Sequence, residues 1–262
     1  MAMNPIAPYR MPGQSDLPTT AVTWRPDPER AVVLVHDMQR YFLRAFPAGR
    51  SPLTDLLGNV TKLLAAARSA RVPVVYTAQP GGMSRKDRGL LNDFWGPGMA
   101  AEETDRGIVD DVAPEPGDTV LTKWRYSAFF RSDLEERLRR SGRDQLVVCG
   151  VYAHMGCLIT ACDAFSRDIQ PFLVADALAD LSLDDHLMAL RYAADRCAVP
   201  LTTADALAGL GARTAPAASA ARPTPIHGGT RPCPSAPMSS SSAERRESGG
   251  TSPSPAPSGA TT

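Results

Sequence analysis

Four apolar runs of the sequence are each followed directly by a side chain that could take part in chemistry. Asp37 follows the apolar run AVVLVH, Gln79 follows VPVVYTA, Lys123 follows TVLT, and Tyr152 begins the segment YAHMGC after QLVVCGV. Aspartate and lysine side chains that lie close together can transfer protons and bind anions. They could equally form a structural ion pair at a loop junction, and the spacing alone leaves both interpretations open.

The scaffold predicted for these side chains is a parallel sheet. Apolar runs predict strands over 31–37, 72–79, 119–123, 145–152, 171–177 and 199–202. Helical patterns cover 53–70, 132–141 (opened by a capping box of Ser132 and Glu135), 155–167 and 184–197, with a last helical turn over 204–208. Continuous apolar strands that alternate with helices predict a three-layer α/β/α sandwich around a parallel sheet of about six strands. Ligands of such sheets bind beyond the carboxyl ends of the strands.

The composition argues against nucleic-acid and membrane partners and indicates a cellular compartment. The 28 basic side chains balance the 28 acidic ones, which does not favour nucleic acid or an anionic membrane surface. No apolar run approaches the roughly 20 residues of a membrane span, and residues 1–18 lack the apolar core of a signal peptide. The cysteines are odd in number and scattered, at 149, 157, 162, 197 and 233. This usage is typical of a reduced, cytoplasmic enzyme.

The composition changes once along the chain. Gly, Ala, Ser, Thr and Pro make up 41 of the 52 residues from 211 to 262, with Ile226 and Met238 almost alone as larger apolar groups. Such a segment buries too little surface to offset its ordering entropy, which predicts a disordered tail. Residues 1–210 are therefore predicted to form a single compact domain.

Several other chemistries lack their motifs. No G-x-G-x-x-G follows a strand and no Walker A lysine loop is present, so no nucleotide cofactor is expected. Ser127 and Ser166 lack the G-x-S-x-G context of a serine hydrolase. The histidines show no metal-ligand spacing and are expected to be structural or on the surface: His36, His154, His186 and His227. We therefore expect neither a metal nor a cofactor.

Six segments together resemble the isochorismatase family of the cysteine-hydrolase-like superfamily: HDMQRYF, YTAQPGG, RGLLNDFWGPGM, LTKWRYSAFF, CGVYAHMGC and DIQPFLVADALAD. The resemblance runs from about residue 5 to 210 and lies closest to the phenazine branch of the family. Amidohydrolases of the superfamily use an Asp–Lys–Cys triad, and Gly156 stands at the position of their cysteine. The resemblance therefore implies that thiol catalysis is lost and that space opens for a bulkier substrate. Cys157 is expected to point into the packing.

The resemblance implies hydrolysis of an enolpyruvyl vinyl ether without a metal or a covalent intermediate. Asp37 would be the general acid, and Lys123 would bind or orient a carboxylate and steady Asp37. Burial and substrate carboxylates would raise the pKa of Asp37 whereas Lys123 would lower it, and the sequence leaves this balance open. Polar contacts to the substrate and walls of the pocket would come from Gln79, Arg88, Phe42, Trp95, Tyr126 and Tyr152.

Alternatives remain at several of these positions. Trp95 could fasten a loop, Phe42 and Tyr126 could pack behind the pocket, and Gly156 could matter only for helix packing. Arg125 is expected to be a structural ion-pair partner rather than a ligand. The resemblance also implies a homodimer and a cis peptide between residues 151 and 152.

Three interpretations of the site remain open: a vinyl ether hydrolase, a thiol amidohydrolase and a non-catalytic scaffold. The substrate favoured by the resemblance is 2-amino-2-deoxyisochorismate, with isochorismate of siderophore synthesis as the alternative. A thiol amidohydrolase would have to use Cys157 from the wrong position. A non-catalytic or carrier-linked scaffold is the third possibility, but the tail has no carrier-type serine motif, and the joint presence of Asp37, Lys123, Gln79 and Arg88 argues against an inactive protein.

Overall fold

A six-stranded parallel sheet forms the centre of the protein in a computed structural model, which describes residues 4–211. The sheet has the order β3-β2-β1-β4-β5-β6. Its strands are β1 (Ala31–His36), β2 (Val74–Ala78), β3 (Thr119–Thr122), β4 (Gln145–Val151), β5 (Gln170–Ala179) and β6 (Val199–Leu201). The predicted fold class is confirmed. The tail that the composition predicts to be disordered lies outside the described residues.

Helices and short turns connect the strands. The α-helices are α1 (Arg40–Leu43), α2 (Leu53–Ser69), α3 (Arg85–Arg88), α4 (Leu91–Trp95), α5 (Glu103–Arg106), α6 (Leu134–Arg140), α7 (Leu158–Phe165), α8 (Leu183–Arg196) and α9 (Thr203–Gly211). A π-helix spans Ala153–Cys157, and 3-10 turns span Gln14–Asp16 and Asp110–Val112. The sequence patterns did not predict α1, α3, α4 or α5, because four or five residues are too few to show a helical period.

Two helix starts differ from the predictions. Helix α6 begins at Leu134, and its N-cap residue is Asp133, which forms no side-chain cap, so the predicted capping box of Ser132 and Glu135 is wrong. The hydroxyl of Ser132 accepts from the amide of Leu134 at 3.4 Å, and the carboxylate of Glu135 pairs with Arg139 and Arg167. The helix predicted over 155–167 is a π-helix followed by α7, since the amide of Cys157 donates to the carbonyl of Tyr152 five residues earlier at 3.3 Å.

Two apolar layers cover the sheet. Strand β1 is buried along its whole length, with Val33 and Val35 in one layer and Val32 and Leu34 in the other. Helices α2 and α9 close the first layer, and α6, α7 and α8 close the second. Burial on both faces explains why these strands are continuous apolar runs rather than alternating ones.

The strand register brings the four polar segments to one edge. His36 at the end of β1 is level with Thr77 of β2 and with Gly150 of β4, and Ala78 of β2 is level with Thr122 of β3. Because all six strands are parallel, the residues that follow these positions emerge side by side. The strand order also reverses at β1 and β4, which is where open α/β sheets form a crevice for ligands.

Candidate active site

The carboxylate of Asp37 lies at the centre of this edge. Its Oδ2 atom is 3.2 Å from Nζ of Lys123 and accepts a hydrogen bond from Nε2 of Gln79 at 3.3 Å. Its Oδ1 atom accepts from the hydroxyl of Thr77 at 2.6 Å. The backbone of Asp37 has a φ of 49°, in the left-handed region that is uncommon for residues other than glycine and typical of functional sites. The structure therefore brings together three side chains that follow three different strands.

The Asp37–Lys123 pair is shielded from solvent, with 4% and 3% of the two residues exposed. Burial alone would raise the pKa of Asp37, but Lys123 and His36 and the hydrogen bonds from Thr77 and Lys123 outweigh it. The pKa of Asp37 is therefore lowered below its usual value. Asp37 is therefore a carboxylate near neutral pH in the free protein.

His36 belongs to the same site although its spacing gave no functional signal. Its imidazole is fully buried, and Nδ1 lies 2.8 Å from the carbonyl oxygen of Val151. Because a carbonyl only accepts, Nδ1 carries the hydrogen. Burial, followed by the charge of Lys123, lowers the pKa of His36 to about 4, so the ring is neutral near pH 7.

A cavity of about 440 Å³ opens at this edge, a volume suited to a small ring compound with side groups. All nine residues singled out in the sequence line it: Asp37, Lys123, Gly156, Gln79, Arg88, Phe42, Trp95, Tyr126 and Tyr152. The sequence patterns did not identify Asn4, Pro5, Ile6, Tyr41, Phe94 or Leu181, which also line it. His36 and Tyr41 stood within the segment HDMQRYF and Phe94 within RGLLNDFWGPGM, but none of them was assigned a role. Nothing marked residues 4–6, which reach the cavity only through the fold.

Aromatic side chains form much of the cavity wall. Nε1 of Trp95 donates to the hydroxyl of Tyr126 at 2.7 Å, and both residues are more than one-third exposed, which places them at the mouth. Tyr152 is buried, donates to the carbonyl of Phe42 at 2.9 Å and meets the Phe42 ring edge-on. The peptide between Val151 and Tyr152 is cis, as the resemblance implied.

Two guanidinium groups line the cavity without a carboxylate partner. Arg88 donates to the side-chain oxygen of Gln79 and to the carbonyl of Gly96, both at 3.1 Å. Arg125 donates to the carbonyls of Asp87 and Trp124. Within residues 4–211 neither arginine forms a salt bridge, so the expected ion-pair role of Arg125 is wrong. The cavity thus holds two cations available to an anionic ligand.

Position 156 differs from the expectation of added space for substrate. A Cβ atom built on Gly156 would lie 2.1 Å from Cε1 of His36, so the imidazole occupies the volume that the missing side chain leaves. Cys157 is fully buried in the second apolar layer, and burial raises the pKa of its thiol well above the usual value. A thiol in that state is a poor nucleophile.

The remaining titratable groups do not form a metal site within the described part of the chain. No group of three or more His, Cys, Asp or Glu residues there is arranged to hold a metal ion. His154 pairs with the buried Asp180 at 2.7 Å, His186 is buried, and His227 lies outside the described residues. Over the same residues, no helix is both long enough and apolar enough to cross a bilayer.

At the carboxyl edge of a parallel α/β sheet, one cavity thus combines a buried Asp–Lys pair with two guanidinium groups that form no salt bridge within residues 4–211. The chain belongs to the isochorismatase family, because the family's isochorismatase domain matches residues 31–205. It is therefore an enzyme of the hydrolase class.

The relatives agree with this assignment. The phenazine biosynthesis protein PhzD of Pseudomonas fluorescens is 60% identical over 199 residues, which are 76% of this chain and 95% of that protein. The isochorismatase of Bacillus subtilis (strain 168) is 55% identical over 203 residues, which are 78% of this chain and 65% of that protein. A solved cysteine hydrolase from Pseudomonas syringae pv. phaseolicola 1448A has a TM-score of 0.65 and 26% identity, and the match covers 74% of this chain and 97% of that one.

Proposed function

We propose that the protein hydrolyses the enolpyruvyl vinyl ether of 2-amino-2-deoxyisochorismate to pyruvate and trans-2,3-dihydro-3-hydroxyanthranilate, as a step in phenazine biosynthesis. The observation that carries the proposal is a buried Asp37 carboxyl held by Lys123 in a cavity lined by two arginines that have no acidic partner within residues 4–211. The 60% identity to a phenazine biosynthesis protein supports the choice of substrate.

The proposed reaction needs a proton donor and a water molecule. Protonation of the terminal vinyl carbon turns it into a methyl group and leaves an oxocarbenium ion at the neighbouring carbon. Water adds to that carbon, and the resulting hemiketal breaks its bond to the ring oxygen, which releases pyruvate and the ring alcohol. Asp37 is the proposed donor, because its carboxyl is buried at the centre of the cavity and is held from three sides.

The lowered pKa of Asp37 implies that its proton is taken up with the substrate. The substrate brings two carboxylates into the cavity, and negative charge nearby raises the pKa of a carboxyl group. Arg88 and Arg125 are the proposed partners of these carboxylates, since neither has an acidic partner within residues 4–211. Gln79 connects the two halves of the site, because it donates to Asp37 and accepts from Arg88.

The second candidate substrate is isochorismate, which would give pyruvate and 2,3-dihydro-2,3-dihydroxybenzoate for siderophore synthesis. Its support is the 55% identity to the isochorismatase of Bacillus subtilis. The two substrates differ by an amino group in place of a hydroxyl on the ring. A single hydrogen-bonding contact could accommodate either group, so the same Asp37 chemistry serves both.

The proposal also covers the compartment, the oligomeric state and the domain bounds of the enzyme. We infer a cytoplasmic homodimer with residues 1–210 as the hydrolase domain. The family resemblance supports the dimer. Free thiols at Cys149, Cys157, Cys162 and Cys197 support a reducing compartment.

Pyruvate release by the purified protein tests the proposed function. We expect turnover of both substrates, with the higher kcat/KM for 2-amino-2-deoxyisochorismate. A preference above about tenfold, or roughly 1.4 kcal/mol in transition-state binding, would assign the phenazine branch, whereas comparable rates would support the reaction class alone. The reverse preference would assign the siderophore reaction. Absence of pyruvate from both substrates would refute vinyl ether hydrolysis and favour amide substrates.

Replacing Cys157 with Ala is expected to leave kcat within about threefold of the wild-type value, because the buried thiol takes no part in the proposed reaction. The variant should unfold at a lower temperature, since the substitution leaves a small cavity in the core. Pyruvate assays and thermal unfolding of the same preparation provide the measurement. A folded variant that loses activity by two orders of magnitude would restore the thiol mechanism.

A further inference from the structure

The imidazole of His36 is held rigidly beside the reacting carboxyl. It is fully buried between the ends of β1 and β4, and its Nδ1–H donates to the carbonyl of Val151 at 2.8 Å. Its Nε2 lies 3.5 Å from the hydroxyl of Thr160, and its Nδ1 lies 3.8 Å from Oδ2 of Asp37. The ring therefore connects the Asp37 region with the last residue of β4 and with α7.

Gly156 leaves the space that this ring needs. A Cβ atom at position 156 would lie 2.1 Å from Cε1, 2.8 Å from Nε2 and 3.0 Å from Nδ1 of His36. Contacts below 3.0 Å do not occur between real atoms of this kind, so either the ring or the backbone would have to move. Dense packing around a fully buried ring resists such a movement. Gly156 itself lines the cavity, so a shift there changes the shape of the site.

We propose that His36 is a positioning residue that works as a pair with Gly156: the imidazole holds the carbonyl of Val151 and fills the space of any side chain at position 156. The pair keeps the segment from Val151 to Gly156 at a fixed distance from Asp37 and leaves only backbone at position 156. Because the imidazole fills this space, position 156 cannot carry a nucleophilic side chain while His36 is present. That the imidazole fills the space at position 156 is independent of the reaction. That it positions the segment from Val151 to Gly156 for catalysis rests on the proposed function.

Substitutions at the two positions separate packing from positioning. An Asn at position 36 can place its amide N–H where Nδ1–H lies in His36, but it lacks the atoms at Cε1 and Nε2. H36N therefore removes the two shortest contacts with a Cβ at position 156 and keeps the hydrogen bond to Val151. H36V removes the same contacts and also the hydrogen bond.

The experiment is a double-mutant cycle of H36N and G156A in the full chain, read by melting temperature and by kcat and KM for pyruvate release. We expect G156A alone to lower Tm by about 5 °C or more through overpacking. Its kcat/KM should fall by about 100-fold or more, mainly in kcat, since an ångström of misplacement has that effect. H36N/G156A should exceed G156A in Tm and recover about tenfold in kcat/KM.

Two controls make each outcome decisive. G58A is the matched glycine control, because nothing lies within 4 Å of a Cβ on Gly58, and it should not lower Tm or couple to H36N. H36V/G156A should recover Tm without recovering kcat/KM. Simple additivity of H36N and G156A would overturn the pairing, and equal activity of H36V/G156A and H36N/G156A would overturn the positioning role. If the wild type releases no pyruvate, the proposed function fails, and the melting temperatures still decide the pairing.

Discussion

Replacing Asp37 with Asn is expected to lower kcat for pyruvate release by about three to four orders of magnitude. This loss lies at the upper end of the roughly 100-fold to 10,000-fold acceleration that a general acid contributes. The amide has nearly the same shape as the carboxyl and can still accept from Thr77 through its oxygen. It cannot deliver a proton to the vinyl carbon. Coupling pyruvate to a dehydrogenase with NADH measures the loss with either substrate.

Asp118 provides the matched control for this variant. Its carboxylate is also well buried and pairs with Arg68 at 2.6 Å, but it lies just before β3, at the opposite end of that strand from Lys123. D118N should lower stability and leave kcat within about threefold, because it removes an ion pair outside the cavity. An Asp37→Asn enzyme that kept a tenth of the wild-type kcat would exclude Asp37 as the proton donor.

The lowered pKa of Asp37 adds a pH signature to the same step. Above that pKa the free enzyme carries an ionised Asp37, so each productive encounter must include the uptake of one proton. The value of kcat/KM, which reports on free enzyme, should therefore fall as pH rises, approaching about tenfold per pH unit between pH 6 and 8. A kcat/KM that rises with pH over this interval would mean that Asp37 acts as a base.

Replacing Lys123 with Met is expected to reduce the free energy of unfolding by about 3–5 kcal/mol at pH 7, because it leaves the buried Asp37 carboxylate without its cation. In the wild type the lowered pKa of Asp37 contributes stability above the unfolded-state pKa of about 3.9, and this contribution disappears as pH falls through the folded-state value. In the variant, burial should raise the pKa of Asp37 instead. Protonation then relieves the uncompensated charge, so the stability difference between the two proteins should shrink from pH 7 to pH 5.

Urea unfolding at both pH values measures this difference, and K62M is the control. Lys62 is exposed on α2, and its ammonium group donates to the side-chain oxygen of Asn59, so its replacement should change stability by less than about 0.5 kcal/mol at either pH. A Lys123→Met protein with an equal loss at pH 7 and pH 5 would contradict the predicted rise in the pKa of Asp37.

The amino-acid sequence by itself determined the sheet and the edge that carries the site. Strands such as β1 and β4 are buried on both faces, so their sequences are unbroken apolar runs that need no long-range information to be found. Residues that follow such runs in a parallel sheet must lie at one edge. Asp37 and Lys123 could therefore be placed together, and the family motifs supplied the remaining candidates, whose roles stay predictions.

Only the tertiary structure decided which groups are paired and which spaces are filled. Arg125 was expected to pair with an acidic side chain, but it donates to the backbone carbonyl of Asp87 in α3, which is 38 residues away along the chain. The volume beside Gly156 was expected to be free, yet the imidazole of His36, at the end of β1, fills it. The lowered pKa of Asp37 is a balance of burial against Lys123, His36 and hydrogen bonds. Such quantities depend on distances between segments remote in sequence, and a local pattern contains no information about those distances.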